Sequence, residues 1–467
     1  MTQLGTPVSR SGDELTNLDR DHFLHPWQVF DTYRHDGPLP IESGTGCHLH
    51  DADGNSYLDA VGGLWNVQLG WGHEELVEAI ADQARRLAYA SMFTDMTHVP
   101  AVELTALLAE MAPGRLNHTF LSTGGSTAID SAYRLVQYYQ ACRGKPEKHQ
   151  VIALDYAYHG STYAAMSIGG KKADHPPEFR YITDTIHHIT APRPYRAPDG
   201  MDEAEFCDYL VSELDAKITE IGPENVGAFF AEPVQGAGGV NVPPAGWHQR
   251  VREVCRTHDV LYVSDEVVTG FGRLGHWFAS KDVFGIEPDI LVCAKGITSG
   301  YQPLGATIFS DEIWDVISAE GKGRVFAHGF TYSGHPVACA AALKNIEIMD
   351  RDGILDHVRE VGPYFMEQLG TLADLPIVGD VRGHHLMACV EFVSDKATKA
   401  MFPEEIDIGR VVSRHADEAG LIVRPIVHLN VMSPPLVIGR DEVDIIVSKL
   451  RDAIIAAMAD LQRDGHM

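Results

Sequence analysis

The sequence predicts an α/β protein: a large part built on a mainly parallel sheet, joined to a smaller α+β part. Three observations carry that expectation. Between about residues 75 and 336, helical periodicity alternates with short apolar runs, the pattern of strand–helix units in a parallel sheet. Two of these runs, Val260-Leu-Tyr-Val-Ser-Asp265 and Ile290-Leu-Val-Cys-Ala-Lys295, each stop at an ionisable side chain, which places both groups on one edge of the sheet. Beyond residue 337 the pattern changes to further strands interleaved with amphipathic helices. At 467 residues there is room for two or three domains. The expected division is an N-terminal segment at 1–75 belonging to the smaller domain, a large domain at 76–336, and the remainder of the smaller domain at 337–467.

In chain order, the first 25 or so residues are polar and acidic, with a frayed start. The aromatic stretch His22–Phe30 follows, suited to packing on the body or on a second subunit. Turns such as Asp51-Ala-Asp-Gly54 separate two strand-like pieces, Cys47–His50 and Ser56–Asp59, which make a small antiparallel element. Helices are expected over Glu74–Leu87, Ala101–Met111 and Ser126–Tyr139, where apolar residues recur every three to four positions. Apolar runs bounded by turns give strands at His118–Ser122, Val151–Asp155, Val226–Glu232, Val260–Asp265 and Ile290–Ala294. A helix over Val337–Met349 leads onward to strands at Ile377–Gly383, Leu386–Val393 and Leu421–Pro425 and helices at Ile406–Ala419 and Asp441–Gln462.

Composition narrows the function. A net charge of -28 repels nucleic acid and anionic membrane, so neither is an expected partner. The start lacks a basic segment followed by an apolar one, and no apolar run approaches the roughly 20 residues that span a bilayer; the cytoplasm is the expected compartment. Seven scattered cysteines without a Cys-x-x-Cys spacing argue against a disulfide framework or a zinc site, and read as packing residues. The doublets His187-His188 and His384-His385 lack a second ligand one helical turn away, so no metal is expected.

The paired strand ends point to a chemistry. A lysine at the end of a buried strand can shed its proton and act as a nucleophile, and Asp265 can hold a positive charge beside it. Pyridoxal phosphate needs both: an amine to form a Schiff base, and an anion to keep its ring nitrogen protonated. Its phosphate needs a cradle, and Ser122-Thr-Gly-Gly-Ser-Thr-Ala-Ile-Asp130 offers glycines at a helix start. The same stretch contains Thr127-x-x-Asp130, a capping-box pattern that would make it an ordinary helix start. A clean Gly-x-Gly-x-x-Gly after a strand is lacking, which weakens a nicotinamide alternative.

The longest ordered block runs from Leu261-Tyr-Val-Ser-Asp-Glu-Val-Val-Thr-Gly-Phe-Gly-Arg273 through Glu287-Pro-Asp-Ile-Leu-Val-Cys-Ala-Lys-Gly296 to Pro303-Leu-Gly-Ala306. With it, nearly the whole chain resembles the class III, fold type I, pyridoxal-phosphate aminotransferases, in the omega-transaminase group that uses amines, beta-alanine or taurine with pyruvate. The resemblance implies that Lys295 carries the cofactor and moves the proton, and that Asp265 partners the ring nitrogen. It implies further that Gly125 and Ser126 bind phosphate, Tyr158 stacks on the ring and Val267 lies on its opposite face. By the same resemblance Thr331, in His328-Gly-Phe-Thr-Tyr-Ser-Gly-His-Pro336, reaches the phosphate of a neighbouring subunit, which implies a homodimer or dimer of dimers with shared active sites. Arg424 matches the mobile arginine that grips a keto-acid carboxylate; Glu232 is either the glutamate that pairs with it in some relatives or a structural strand-end acid; Trp65 matches an aromatic pocket wall, with Trp27 and Phe93 as further candidates. The phosphate loop departs from the commoner Ser-Gly-Ser-Glu-Ala form at Gly124 and Thr127, which leaves the subfamily open. The implied activity is transfer of an amino group from an amine or omega-amino acid to a keto acid such as pyruvate. A lyase, decarboxylase or aminomutase on the same scaffold, or a cofactor-binding protein without activity, is the alternative.

Overall fold

A computed structural model describes residues 10–31, 33, 37–93, 95–321 and 323–467. Its central sheet has seven strands in the spatial order His118–Ser122, Gly305–Phe309, Ile290–Cys293, Leu261–Asp265, Val226–Ala231, Gln150–Leu154 and Ile186–Ile189. Gly305–Phe309 runs antiparallel to both neighbours; the other pairings are parallel. All residues of Val226–Ala231, Leu261–Asp265, Ile290–Cys293 and Gly305–Phe309 are buried, which is why these strands read as unbroken apolar runs.

The alternation hidden in those runs appears once the two faces are separated. Val151, Ala153, Ala228, Phe230 and Val263 pack against the helix Gly125–Cys142. Their neighbours Ile152, Leu154, Phe229, Ala231 and Tyr262 pack on the other face, with the helices Glu203–Ile221 and Trp247–Thr257. Each of the Val, Ile, Leu and Phe side chains among them contributes about 1.5–3 kcal/mol through removal of apolar surface from water. A sheet clad on both sides is held rigid, so the strand ends become fixed points from which side chains can be aimed.

Two smaller sheets complete the fold. Ile41–Thr45, His48–Asp51 and Ser56–Asp59 form an antiparallel meander, joined in parallel by Leu421–Ile422 from far along the chain. Val378–His384, Met387–Phe392, Leu429–Met432 and Arg424–Ile426 form an antiparallel sheet. It shares a core with the helices Ile354–Gly370, Ile408–Glu418 and Arg440–Arg463. The single strand expected at Leu421–Pro425 is therefore two: Leu421 pairs with Leu58, while Arg424 pairs with Val431 in a different sheet.

The start of the chain also differs from expectation where it is described. Gly12–His22 is a helix with a complete capping box, in which Ser11 Oγ accepts the Glu14 amide and Glu14 accepts the Ser11 amide. The Gly12 amide donates to Asp53 (2.9 Å), tying this helix to the meander turn. The expected frayed start at residues 1–9 lies outside the described residues. Among the described residues no helix is long and apolar enough to cross a membrane, and no cluster of His, Cys, Asp and Glu could hold a metal ion. All seven cysteines are free, six of them buried.

Candidate active site

Three neighbouring parallel strands deliver acidic and basic groups at their carboxyl ends. Asp265 is the last residue of Leu261–Asp265 and lies beside Val292 of the next strand, three residues before Lys295. Glu232 immediately follows Val226–Ala231 on the other side. Tyr158 and His159 lie in the turn after Gln150–Leu154, and the helix Gly125–Cys142 begins just after His118–Ser122. The crossover topology gathers all of these at one sheet edge.

Lys295 sits in a strained backbone, with φ 48° in the left-handed region, an arrangement that costs about 1–3 kcal/mol and persists only when the surroundings impose it. Tight packing does so here. A Cβ on the following Gly296 would lie 2.0 Å from Gln68 Nε2, and Asn345 Nδ2 donates to the carbonyls of Gly296 (2.9 Å) and Ile297 (3.1 Å). The Lys295 amine lies 5.3 Å from the centroid of the buried Trp65 ring. Burial brings this amine down to about 8; Asp265 and Glu232 oppose that fall, while Arg424 and Arg273 reinforce it. The result is an amine that can be neutral, hence nucleophilic, near neutral pH.

Asp265 is held by two donors: His159 Nδ1 donates to Oδ2 (2.7 Å) and the Val267 amide donates to Oδ1 (3.0 Å). His159 has no exposed side-chain surface. Burial disfavours its charge, but the Asp265 carboxylate, aided by Glu232, outweighs burial and raises it above the ordinary histidine value. Burial pushes the Glu232 carboxyl up to about 7, with Asp265 adding to the rise and His159 and two backbone donors resisting it.

The start of the helix Gly125–Cys142 is open to an anion in both composition and space. Its first turn carries no acidic residue, and a Cβ on Gly124 would meet nothing within 4 Å. A Cβ on Gly125 would press on Val267, at 3.0 Å from its Cγ1, so the helix start and Val267 are adjacent. Ser126 Oγ accepts the Ser161 amide (3.0 Å), fixing the turn that carries Tyr158 against the helix start. Thr127 is not a helix cap: its hydroxyl donates to the Gly124 carbonyl (2.9 Å), and Gly124 occupies the cap position. Asp130 instead accepts the Ala165 amide (3.0 Å). The capping-box expectation thus fails, because the Thr127 hydroxyl is turned back onto the Gly124 carbonyl and Asp130 onto the Ala165 amide.

The remaining expected residues divide into two groups. Tyr158 meets Trp27 edge-on, with ring centroids 6.1 Å apart, so the N-terminal aromatic stretch lies over this turn. Burial lowers the Arg424 guanidinium from its usual range, with Tyr158 and Asp174 opposing, and among the described residues its side chain has no hydrogen bond or ion pair. Glu232 does not pair with Arg424. Its two oxygens accept the amides of Tyr158 (3.1 Å) and Gly236 (2.8 Å), which makes it a brace between two loops.

Thr331 and Phe93 are not brought to Lys295. Both are exposed, and neither shares a hydrogen bond, ion pair or ring contact with Lys295, Asp265 or His159. They lie near each other: Phe93 would contact a Cβ on Gly329, and Tyr89 donates to the Thr331 carbonyl (3.1 Å). His159 is the residue that sequence reasoning missed. Its only sequence signal is the Tyr158-His159-Gly160 turn after a strand, since its partner lies 106 positions away.

The profile described as Aminotransferase class-III matches residues 31–454. The putrescine–pyruvate aminotransferase of Pseudomonas aeruginosa is 41% identical over 442 residues, covering 94% of this chain and 96% of that protein. The (S)-enantioselective omega-transaminase of Thermomicrobium roseum superposes with a TM-score of 0.92 at 40% identity, over 97% of this chain and 99% of that one. The omega-transaminase of Pseudomonas jessenii in complex with PMP superposes with a TM-score of 0.93 at 35% identity, over 97% and 99%.

Proposed function

The chain belongs to the class-III aminotransferases, a fold type I family, and from that membership we propose that it moves an amino group from an amine or omega-amino acid to a keto acid, pyruvate first, in two half-reactions. The residues fit pyridoxal 5′-phosphate: a lysine amine brought down to about 8, a buried carboxylate on the strand next to the one that leads to Glu232, and an open glycine helix start free of acids. When bound, the cofactor supplies a carbonyl carbon to hold the amino group and a ring that withdraws electrons from the substrate carbon.

In this reading Gly125 and Ser126 bind the phosphate through the helix start. Tyr158 and Val267 flank the ring from the two sides, and Asp265 holds the proton on the ring nitrogen. His159 is the positioning residue that keeps Asp265 oriented by donating to Oδ2. Lys295 Nζ would take the proton from the substrate carbon and pass it to the carbon of the bound cofactor that keeps the amino group, with Trp65 walling the space beside it. Phe93 and Thr331, exposed together, serve the active site of a second subunit, which makes the working form a homodimer or dimer of dimers. The division at 75/76 and 336/337 and a cytoplasmic location belong to the same proposal.

The observation that carries the keto-acid assignment is Arg424, a half-buried guanidinium without an ion-pair partner among the described residues. A guanidinium so placed can grip a carboxylate through two parallel hydrogen bonds. Arg424→Ala should therefore slow the half-reaction with pyruvate by about 10²-fold, the loss of a charge-assisted contact of about 1.5–3 kcal/mol, while sparing the half-reaction with an uncharged amine. Stopped-flow absorbance on the pyridoxal and pyridoxamine forms measures the two halves separately. Equal losses in both would assign Arg424 to the fold or the cofactor and remove the dual-substrate account.

A further inference from the structure

Arg273, in the loop after the strand Leu261–Asp265, takes no part in the chemistry described so far, yet its side chain is fully buried. Among the described residues it makes no ion pair, and two of its nitrogens, Nε and Nη2, have no hydrogen-bond partner. Burial brings the guanidinium down to about 9, opposed by the charge of Asp59. Asp59 is itself taken up by the amides of Val61, Gly62 and Gly63. A buried charge so poorly compensated stabilises a fold less than a well-packed apolar side chain of similar volume would. The bonds that Arg273 does make supply another reason for its presence.

Its Nη1 donates to the carbonyls of Leu386 (3.1 Å) and Pro434 (2.5 Å). Leu386 immediately precedes the strand Met387–Phe392, and Pro434 lies just past the strand Leu429–Met432. These strands are antiparallel neighbours with Ala388 opposite Met432, so both carbonyls lie at one end of the antiparallel sheet. Arg424 belongs to that end too, because it pairs with Val431. On its other side, the loop that carries Arg273 is fixed to the central sheet. Glu266, next after Asp265 and fully buried, accepts the Thr269 hydroxyl (2.9 Å), the amides of Ala279 (2.8 Å) and Ser280 (2.8 Å), and the Ser280 hydroxyl (2.6 Å), which clamps both ends of the 269–280 loop. Within the loop, the amides of Phe271 and Gly272 donate to the carbonyls of Trp277 (2.7 Å) and His276 (3.0 Å).

A continuous chain of contacts thus runs from Asp265 through Glu266 and the 269–280 loop to Arg273, and from its guanidinium to the sheet end that bears Arg424. We propose that Arg273 is a positioning residue for the keto-acid half-reaction: it sets where the Arg424 strand lies relative to Lys295, and so where a carboxylate is gripped. This rests on the reading of Arg424 as the carboxylate-binding group. A guanidinium–carboxylate contact is directional, so a displaced grip loses affinity for the keto acid while the chemistry at Lys295 is untouched. The sheet end has a second tie, from the Ser433 amide to the Ala60 carbonyl (2.8 Å) and from the Ser433 hydroxyl to the Val61 carbonyl (2.8 Å). Loss of Arg273 therefore shifts this end without releasing it.

The test uses the full-length holoenzyme and Arg273→Met, which removes a dry charge and both donated bonds but fills similar space, so the fold should persist. Stopped-flow absorbance follows the pyridoxamine form against rising pyruvate, and the pyridoxal form against an uncharged amine. The pyruvate concentration for half-saturation should rise by about 10-fold, with the limiting rate within about twofold of the parent and the amine half-reaction unchanged. In an Arg424→Ala background the same substitution should add nothing further, because the group it positions is gone. Arg273→Lys keeps a charged donor and should show a smaller shift of the same kind; it carries the measurement if the methionine variant does not fold. Arg424→Ala alone reports on the underlying reading: equal losses in its two half-reactions would remove that reading and this proposal with it. Where Arg424→Ala is impaired with pyruvate only, the role of Arg273 alone would be overturned by unchanged pyruvate saturation in its folded variants, by equal losses in both half-reactions, or by a fully additive loss in the Arg424→Ala background.

Discussion

Lys295→Ala should abolish turnover, by at least about 10⁴-fold, while the protein still folds and melts within a few degrees of the parent. The size of the effect follows from two losses at once: the covalent anchor for the cofactor and the group that carries the proton at the substrate carbon. The fold survives because the strained turn is built by its neighbours, Asn345 on the Gly296 carbonyl and Gln68 against Gly296, and not by the amine. Borohydride reduction should couple the cofactor to one lysine in the parent and to none in the variant. The parent should also show a pH dependence of known sign. Only the neutral amine captures the cofactor, so the capture rate of the apoprotein should rise as pH passes upward through about 8. A rate that falls over that range, or a coupled lysine elsewhere, would displace Lys295 from its role.

Asp265→Asn should slow removal of the substrate proton by about 10²–10³-fold, because the amide keeps the carboxylate's shape but supplies no charge to hold the ring nitrogen's proton. A second readout separates this role from a merely structural one. The Asp265 carboxylate is what lifts His159 against the effect of its own burial. In the variant, the imidazole titration of His159, followed by NMR, should therefore move down. Near-normal single-turnover rates with a shifted His159 would show that another acid serves the ring.

Much of this site was legible because buried parallel strands are unbroken apolar runs, so an Asp or Lys that ends one stands out. Asp265 and Lys295 fall where the runs stop, and the structure sets them on adjacent strands. The glycines of Gly124-Gly125-Ser126 marked a strand-to-helix junction, and a helix does begin at Gly125. His159 was not legible, because its role rests on a hydrogen bond across 106 positions that no local pattern records. Glu232 read from sequence either as a partner of Arg424 or as a structural strand-end acid, since the two look alike; here its oxygens take two amides.

The elements that escaped notice have similar causes. Glu203–Ile221 opens with Asp202 and Glu205 in a reciprocal capping box, a signal present in the sequence and not used. Gly305–Phe309 is the reversed strand of the sheet, and strand–helix alternation does not announce it. Leu421–Pro425 reads as one strand because partner choice is tertiary: Leu58 and Val431 lie far apart in sequence, and only the assembled fold hands one half to each.

The most direct test of amino transfer is the single-turnover absorbance spectrum of the holoenzyme, mixed first with an amine donor and then with pyruvate. The pyridoxal-form absorbance should give way to the pyridoxamine form without keto acid present, and pyruvate should restore it while producing alanine in equal amount. A spectrum unchanged by any donor, or one that recovers with product release before pyruvate is added, would contradict the account and move the protein to a different reaction on the same scaffold.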